Sequence, residues 1–425
     1  MRLSSLFLSP FESTFSDNAS IGIHPFGDEA YSLAEIPFAH RINLENLETL
    51  ETVNVHNVLG LVHHTAHLHT WADKVYNIGS KLGFSLRPCY VVVEMDATSK
   101  LTTSSPFDEP SGKSPWSTAK IVATIPSRWP LKLGYMHSFL ITPNYFILVE
   151  QPLSIFMPKF AVNQLSRRKP LASSLQFFPD EDTCFYVVSR NQANNPQCQV
   201  FRAPAFIYFH TINAFETKIR DDDDIIIVDI SCYDDPSFID SMYVEALENA
   251  QSNPDYAKML HGRPKRFTLN CTSGQITESK VIVNIGCELP KINSEFVGKP
   301  YNYFYAMCAD IDANNPGKLI KVDVVKNTFK TWHEPNAFTS EPIFVPAPNS
   351  KGEDDGVLMS ILLYGGESRI GPNRSTLVIL HAKSWEAIAK VDILSESALP
   401  KCLHGWFFPD EHFKETVTQD KVTVS

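Results

Sequence analysis

The stretch HHTAHLHTWADKVYNIGS, residues 63–80, places His63, His64, His67 and His69 close together. Imidazole is the commonest metal-binding side chain, so metal coordination is the first chemistry to consider in this stretch. His67 and His69 are two residues apart and would project from the same face of a strand. A compact zinc site needs further ligands at local spacing, and none follows here. The stretch alone therefore leaves the role of its histidines open.

Three other histidines lie in apolar surroundings: His137 in YMHSFLITPNY, His210 in YFHTINAFE and His404 in CLHGWFFPD. An imidazole buried among apolar side chains costs roughly a few kcal/mol unless both ring nitrogens have partners. A metal ion on one nitrogen and a carboxylate on the other satisfy both. The long separations between these histidines exclude a local motif. They can converge only where separate strands point toward one axis, as the innermost strands of propeller blades do.

Short runs rich in Val, Ile, Phe and Tyr recur along the chain and predict β-strands, with polar turns between them. The predicted strands are Cys89–Ala97, Ala119–Pro126, Asn144–Pro152, Cys184–Ser189, Phe206–Glu216, Asp224–Cys232, Lys280–Pro290, Leu319–Val325, Val357–Gly366 and Ser375–Ala382. The best helical periodicity covers Asp235–Gln251. So many strands exceed a single sandwich and favour an all-β propeller or a pair of β domains.

Composition excludes several classes of protein. The chain has 425 residues, of which 43% are hydrophobic and 20% charged, so it can bury a sizeable core. Its net charge of −11 supplies no basic field, which argues against nucleic acid as a partner. Eight cysteines without a CxxC pair favour a reduced, intracellular protein. No apolar run reaches the roughly 18 residues that a membrane-spanning helix needs.

Six blocks of the sequence together resemble a known family: TAHLHTWADKVYNIGS, YMHSFLITPNYFILVEQP, FHTINAFE, ELPKINSEFVGKPYNYFYA, SEPIFVPAP followed by EDDGVLMS, and LHGWF. In this order and with similar spacing, they resemble the successive signatures of the carotenoid cleavage oxygenases. The resemblance is strongest to the animal branch, which contains beta-carotene oxygenases, insect isomerooxygenases and the retinoid isomerohydrolase of the retinal pigment epithelium. It runs from about Ser16 to the end, so residues 1–425 are expected to form a single domain.

The resemblance implies a seven-bladed β-propeller with ferrous iron, Fe(2+), on its axis. The four histidines that match the family's iron ligands are His67, His137, His210 and His404. His69 matches a family histidine that is not a ligand, whereas His63 and His64 fall outside the pattern and are expected to lie in a loop. Leu68 stands where the family usually has a proline that stiffens this turn.

Three glutamates match family positions that support the iron ligands: Glu35, Glu288 and Glu341. The resemblance implies that each accepts a hydrogen bond from an iron-bound imidazole, which fixes the tautomer and aims the ring. In the family these glutamates serve the last three histidines, and the first histidine has none. The alternative for Glu35 and Glu341 is an ordinary exposed carboxylate, and at Glu35 the family's usual ETN reads EIP.

By resemblance, the chain is expected to be an Fe(II)-dependent dioxygenase that uses O2 to cleave a C=C bond of a carotenoid, with beta-carotene giving retinal. A retinoid isomerohydrolase on the same scaffold is the alternative enzyme, and it would need no O2. A third alternative is an inactive form that binds a carotenoid or retinoid without turnover. The sequence does not specify the cleavage position, the preferred substrate or the product isomer.

Residues Glu150–Pro170 form the best candidate for membrane contact. The segment combines apolar side chains with a following basic cluster, a pattern that suits a peripheral enzyme of the cytoplasmic membrane face. The apolar residues are Leu153, Ile155, Phe156, Met157 and Phe160, and the basic ones are Arg167, Arg168 and Lys169. The alternative is a buried strand and loop, but the segment's position matches a membrane-contacting region of the family.

The resemblance begins part-way into a full-length family member. Strands of the family's first blade have no counterpart here, so an N-terminally truncated form with an incomplete first blade is expected. Deleted strands would leave unpaired edges and an open channel. All four histidines and all three glutamates are nevertheless present. The residue set therefore indicates an enzyme, while the expected truncation leaves the activity of this chain open.

Overall fold

The computed structural model of the chain describes residues 17–27, 29–82, 87–97, 114–157, 159, 162, 171–191, 198–218, 223–248, 250, 252–253, 255–256, 259, 261–311, 317–364, 373–397, 399–401 and 403–409. The backbone separates into two compact units. The first comprises residues 1–133, 157–169 and 404–425, and the second comprises residues 134–156 and 170–403.

Two antiparallel sheets occupy the first unit, as far as its residues are described. In one sheet, four strands pair in chain order: β1 (Gly22–Phe26), β2 (Glu29–Leu33), β3 (Phe38–Ile42) and β4 (Thr49–Asn54). The other sheet contains β5 (His63–His64), β6 (His69–Trp71), β7 (Lys74–Leu82), β8 (Pro88–Asp96) and β9 (Lys120–Pro126). Both β5 and β6 pair with β7, so this strand holds the histidine-rich stretch in place.

Local sequence explains how the chain passes from the first sheet to the second. Helix α1 (Val55–Leu59) begins after Asn54, whose side chain accepts the N–H of Asn57. It ends at Gly60, whose φ of 73° is one that glycine adopts without strain. A 3-10 helix over Pro115–Thr118 precedes β9.

The second unit contains most of the strands. In chain order they are β10 (Lys132–Gly134, which begins in the first unit), β11 (Leu140–Ile141), β12 (Tyr145–Glu150), β13 (Leu153–Phe156), β14 (Leu175–Phe177), β15 (Thr183–Ser189), β16 (Cys198–Ala203), β17 (Ile207–Lys218), β18 (Asp224–Tyr233), β19 (Arg263–Asn270), β20 (Gln275–Val281), β21 (Glu288–Lys291), β22 (Tyr303–Met307), β23 (Leu319–Asp323), β24 (Thr328–Trp332), β25 (Ala337–Thr339), β26 (Ile343–Pro346), β27 (Gly356–Tyr364), β28 (Asn373–His381) and β29 (Glu386–Ser395).

These strands form antiparallel sheets in the orders β11-β12-β15-β16, β17-β18-β19-β20, β21-β22-β23-β24 and β25-β27-β28-β29, with β26 also paired to β27. β13 pairs with β14. The helices are short: α2 (Ser237–Asp240), α3 (Val244–Glu248) and 3-10 turns over Leu171–Ser174 and Ser294–Phe296. Within the described part of the chain, no helix is long and apolar enough to cross a membrane.

The pairing of strand β17 is irregular around His210, one of the implied iron ligands. Its pairing with β18 shifts register between Tyr208 and Thr211 and again between Thr211 and Asn213. Such bulges re-aim side chains and are frequent beside functional sites. His210 lies within the first of these shifts.

The all-β prediction is confirmed, and the predicted strands match observed ones with one exception, although Gly365 and Gly366 of the predicted strand Val357–Gly366 lie outside the described residues. The run Lys280–Pro290 is not one strand, because β20 ends at Val281 and β21 begins at Glu288. Ile282, Val283 and Ile285 are buried without forming a strand, so the apolar run signalled burial and not extended structure. The predicted helix is present only as α2 and α3, and Gln251 lies outside the described residues.

Candidate metal centre

His137 and His210, two of the implied iron ligands, lie in the second unit with their Nε2 atoms 3.2 Å apart. Their rings are nearly perpendicular, and the ring centroids are 4.8 Å apart. Two imidazole nitrogens bound at right angles to one metal ion stand roughly 3 Å apart, since each metal–nitrogen bond is about 2.1 Å long. The pair is therefore arranged as two neighbouring ligands of one ion.

Glu288 accepts hydrogen bonds on both carboxylate oxygens. Its Oε2 lies 2.5 Å from Nδ1 of His210 and also accepts the N–H of Leu289 at 2.9 Å. Its Oε1 accepts the hydroxyl of Tyr233 at 2.7 Å. Burial raises the pKa of Glu288, but the adjacent His210 and the three hydrogen bonds outweigh burial and hold this pKa below its usual value. A carboxylate at this position favours the tautomer that carries its proton on Nδ1, in which the lone pair of Nε2 is available to a metal.

Tyr233 is a part of this site that sequence reasoning missed. It ends β18 and stacks on Phe238, with ring centroids 4.3 Å apart. Phe209 packs edge-on against Phe238 at 4.5 Å and lies 5.0 Å from the ring of His137. These rings form an apolar wall beside the histidine pair. In the sequence, Tyr233 is distinguished only by its position at the end of an apolar strand. Many core tyrosines share that position, so it did not indicate a role in the site.

Gly262 leaves the room that Tyr233 occupies. A Cβ at residue 262 would lie 2.7 Å from Cζ of Tyr233 and 3.0 Å from its hydroxyl oxygen. We expect Gly262→Ala to displace this hydroxyl from Glu288 and to lower the free energy of unfolding by about 1–3 kcal/mol, as overpacking does. Urea unfolding of the iron-free chain measures the change. Gly352→Ala is the control, because its Cβ would approach nothing closer than 3.9 Å. Equal stabilities of the two variants would contradict the prediction.

The other two implied ligands, His67 and His404, lie in the first unit. Their ring centroids are 4.4 Å apart at an interplanar angle of 80°, and their candidate ligand nitrogens lie within 4.8 Å of each other. Main-chain hydrogen bonds hold both residues: the N–H of His404 donates to the carbonyl of Ile21 at 3.2 Å, and the N–H of His67 donates to Oγ1 of Thr65 at 3.2 Å. Each unit thus brings one pair of implied ligands together.

The other two glutamates implied by the resemblance, Glu35 and Glu341, each lie beside a basic side chain. Oε2 of Glu35 lies 3.8 Å from Nε2 of His63, and Oε1 of Glu341 forms an ion pair with Lys291 at 3.2 Å. Glu341 is buried and Glu35 is half-buried, so neither is an ordinary exposed carboxylate. Support of an iron ligand by Glu35 or Glu341 stays a prediction.

The prediction that His63 and His64 lie in a loop is wrong. They form β5, which pairs with β7, and both side chains are buried. Burial lowers the pKa of His64 to about 4, so this ring is neutral at neutral pH, and its Nδ1 lies 3.1 Å from the carbonyl oxygen of Thr65. His64 is therefore a core residue. His69 lies in β6.

The proposed membrane-contacting residues fall into three groups. Leu153 and Ile155 are 1% and 4% exposed, because β13 packs them inside the second unit. Their burial removes both from the proposed contact surface. Phe156 and Met157 are half-buried, and Phe160 lies outside the described residues.

The donor set suits ferrous iron. Neutral imidazoles bind Fe(II), and a carboxylate on the far nitrogen raises the basicity of the ring. His210 has such a carboxylate, because its Nδ1 lies at hydrogen-bonding distance from Glu288. The Nε2 of His137 lies 3.2 Å from the Nε2 of His210. The second unit thus offers a preorganised half of a histidine metal site.

Comparison with known proteins places this chain in a family. The family described as RPE65, Retinal pigment epithelial membrane protein, matches residues 3–409. The carotenoid isomerooxygenase of Galleria mellonella is 41% identical over 412 residues, 96% of this chain and 76% of that protein. The beta,beta-carotene 15,15'-dioxygenase of Homo sapiens is 30% identical over 429 residues, 95% of this chain and 75% of that protein.

A solved structure gives the same assignment. The cobalt-substituted Synechocystis apocarotenoid oxygenase (ACO) matches with a TM-score of 0.71 and 25% identity over 93% of this chain and 75% of that one. The resemblance found in the sequence blocks is thereby confirmed. The chain belongs to the RPE65/carotenoid oxygenase family.

Proposed function

We propose that this chain is an Fe(II)-dependent oxygenase that uses O2 to cleave a carbon–carbon double bond of a carotenoid. Beta-carotene is the proposed substrate, and retinal is the product. The observation that carries the proposal is the His137–His210 pair backed by Glu288. Relatives named for carotenoid cleavage and isomerisation support the substrate class.

The proposed ligands of the Fe(II) ion are His67, His137, His210 and His404. The resemblance assigns all four as ligands, and the spacing within each pair supports this assignment. By resemblance, we also propose that the chain folds as a single seven-bladed propeller domain with iron on its axis. In its support, the strands of the described residues group into seven sheets.

In the proposed reaction one C=C bond breaks and two C=O bonds form, and both atoms of O2 end in the products. Fe(II), when held by these histidines, would supply a redox-active centre for the reaction with O2. The protein's part is positioning: Glu288 holds the proton on Nδ1 of His210, and Tyr233 holds Glu288. Phe209 and Phe238 present an apolar surface beside His137, which excludes water and suits a polyene.

We also propose that the enzyme contacts a membrane peripherally, because its substrate is dissolved in the bilayer. Among the described apolar residues of the predicted segment, Phe156 and Met157 are half-buried and Val162 is exposed. The basic residues Arg167, Arg168 and Lys169 follow in the sequence, and their charge suits an anionic lipid surface.

Retinoid isomerohydrolase activity is the second candidate, because the matching family carries the name of the retinal pigment epithelial protein. The two reactions differ in their need for O2. Beta-carotene given to the iron-loaded chain is expected to yield retinal under air and none under argon, with readmitted air restoring the product. Chromatography of the extracted retinoids measures both arms.

Three other outcomes of this experiment would count against the oxygenase proposal. Equal retinal with and without O2 would overturn the oxygenase proposal. Release of retinol from a retinyl ester under argon, with no cleavage of beta-carotene in air, would favour the isomerohydrolase. Stoichiometric binding of carotenoid without product at any iron concentration would favour an inactive binding protein.

A further inference from the structure

A buried polar network fastens the segment that follows β5 to strand β7. Its side chains include Thr65 and Asn77, which are 0% and 2% exposed, and the buried ring of His64, whose Nδ1 lies 3.1 Å from the carbonyl oxygen of Thr65. Oγ1 of Thr65 donates to Oδ1 of Asn77 at 2.8 Å, and Nδ2 of Asn77 donates back to the carbonyl of Thr65 at 3.1 Å. The main chain adds two more bonds, from the N–H of Ile78 to Oδ1 of Asn77 and from the N–H of Thr65 to the carbonyl of Ile78.

The network ends on His67. Oγ1 of Thr65 accepts the N–H of His67 at 3.2 Å. A hydroxyl has one proton and two lone pairs, so Thr65 can donate to Asn77 and accept from His67 at the same time. The carbonyl of His67 is a poorer acceptor for that proton, because it lies 3.4 Å from Oγ1 whereas Oδ1 of Asn77 lies at 2.8 Å. The amide of Asn77 thereby orients the hydroxyl that holds His67.

We propose that Thr65 and Asn77 are positioning residues of the metal site, which fix the main chain of His67 and so aim its ring before the ion binds. The inference rests on the proposed function. An anchored backbone restricts where the ring of His67 can lie, and a ligand must be held within about 0.5 Å of its productive position.

A purely structural role for the same network makes a different prediction. Loss of a buried hydrogen bond that leaves a partner unsatisfied costs about 1–3 kcal/mol wherever it occurs. A structural network would therefore lower the free energy of unfolding and leave metal affinity unchanged. A positioning network would change the metal affinity and the ligand field as well.

The test compares two substitutions at one position in the full chain. Thr65→Val keeps the shape and removes the hydroxyl, while Thr65→Ser keeps the hydroxyl and removes a methyl group. Titration with Co(II) alone gives the affinity, and the visible absorption of bound Co(II) reports the geometry of its ligands. We expect Thr65→Val to weaken Co(II) binding roughly 10- to 100-fold and to alter the spectrum, the effect of losing an outer partner. Thr65→Ser should retain the native affinity and spectrum.

Two more variants separate positioning from stability. Thr142→Val is the matched control, because Thr142 is likewise 0% exposed and its Oγ1 accepts a main-chain N–H, that of Tyr145, at 3.0 Å. It should lower the free energy of unfolding and leave Co(II) binding native. Asn77→Ser removes the amide without adding bulk, and it should weaken Co(II) binding even if Thr65→Val prevents folding. Combined with Thr65→Val it should add little, since both act through one contact.

The outcomes distinguish this inference from the function on which it rests. If the native chain binds Co(II) and Thr65→Val binds it with native affinity and spectrum, the positioning role is overturned. A Thr65→Ser variant as weak as Thr65→Val overturns it too, because the hydroxyl would then not be the relevant group. If the native chain binds no Co(II), the metal site itself fails, and the inference fails with it.

Discussion

His210→Ala is expected to abolish both bound iron and carotenoid cleavage. The change removes a ligand nitrogen and the partner of a buried carboxylate, because Nδ1 of His210 lies 2.5 Å from Glu288. Loss of an outer partner alone weakens metal binding about 10- to 100-fold, so loss of the ligand should exceed that range. Iron content after dialysis and retinal formed per chain are the two measurements, and both should fall below detection.

His69→Ala is the control for this prediction. His69 lies in β6 opposite Tyr76 of β7, and the resemblance places it outside the ligand set. Iron content and turnover should stay close to native in this variant. The unfolding of the iron-free chains shows whether His210→Ala is folded, since an unpaired buried carboxylate is itself destabilising. A folded His210→Ala chain with native iron content would refute the assignment.

The same control tests the assignment within the histidine-rich stretch. His67→Ala should lose iron, as His210→Ala does, while His69→Ala should keep it. The opposite result would mean that the second histidine of the block is the ligand. Thr65 would then hold the wrong residue, because its hydroxyl accepts the N–H of His67.

The fold was predictable where side-chain type and strand pairing agree. In Cys89–Ala97 the β-branched run forms β8, whose Val91, Val92 and Val93 are all buried. Prediction failed where the burial of a segment did not indicate whether it pairs as a strand. Ile282, Val283 and Ile285 are buried in an irregular connection, and His63 and His64 form a strand because β7 offers them a partner. Composition signals burial, but a pairing partner elsewhere in the chain decides whether the buried segment is a strand.

The site was predictable only through the resemblance. Apolar surroundings suggested that His137 and His210 need partners, yet nothing in their spacing places their Nε2 atoms 3.2 Å apart. His210 lies at a register shift of β17, and no local sequence pattern predicts such a shift. Tyr233 was missed because its hydroxyl donates to Glu288 of a different sheet, and sequence alone does not show which sheets meet.

Glu288→Gln is expected to weaken iron binding about 10- to 100-fold without unfolding the chain. The carboxylate accepts from His210 and Leu289 on Oε2 and from Tyr233 on Oε1. A glutamine can keep its oxygen toward His210, because its NH2 group can donate to the hydroxyl of Tyr233 after that hydroxyl rotates. The geometry then survives, and what is lost is the charge that raises the basicity of the imidazole and offsets the charge of the metal.

Glu353→Gln is the matched control for that substitution. Glu353 is also buried, and its carboxylate accepts the N–H groups of Asn302 and Tyr303 at 2.7–2.8 Å. Both variants remove one buried negative charge, so both should lower the free energy of unfolding of the iron-free chain, while only Glu288→Gln should weaken iron binding. Titration with Fe(II) under argon, followed by turnover in air, measures the difference. Full iron occupancy with native turnover in Glu288→Gln would show that this carboxylate merely completes the packing around Tyr233, because a charge that tunes the metal cannot be removed without effect.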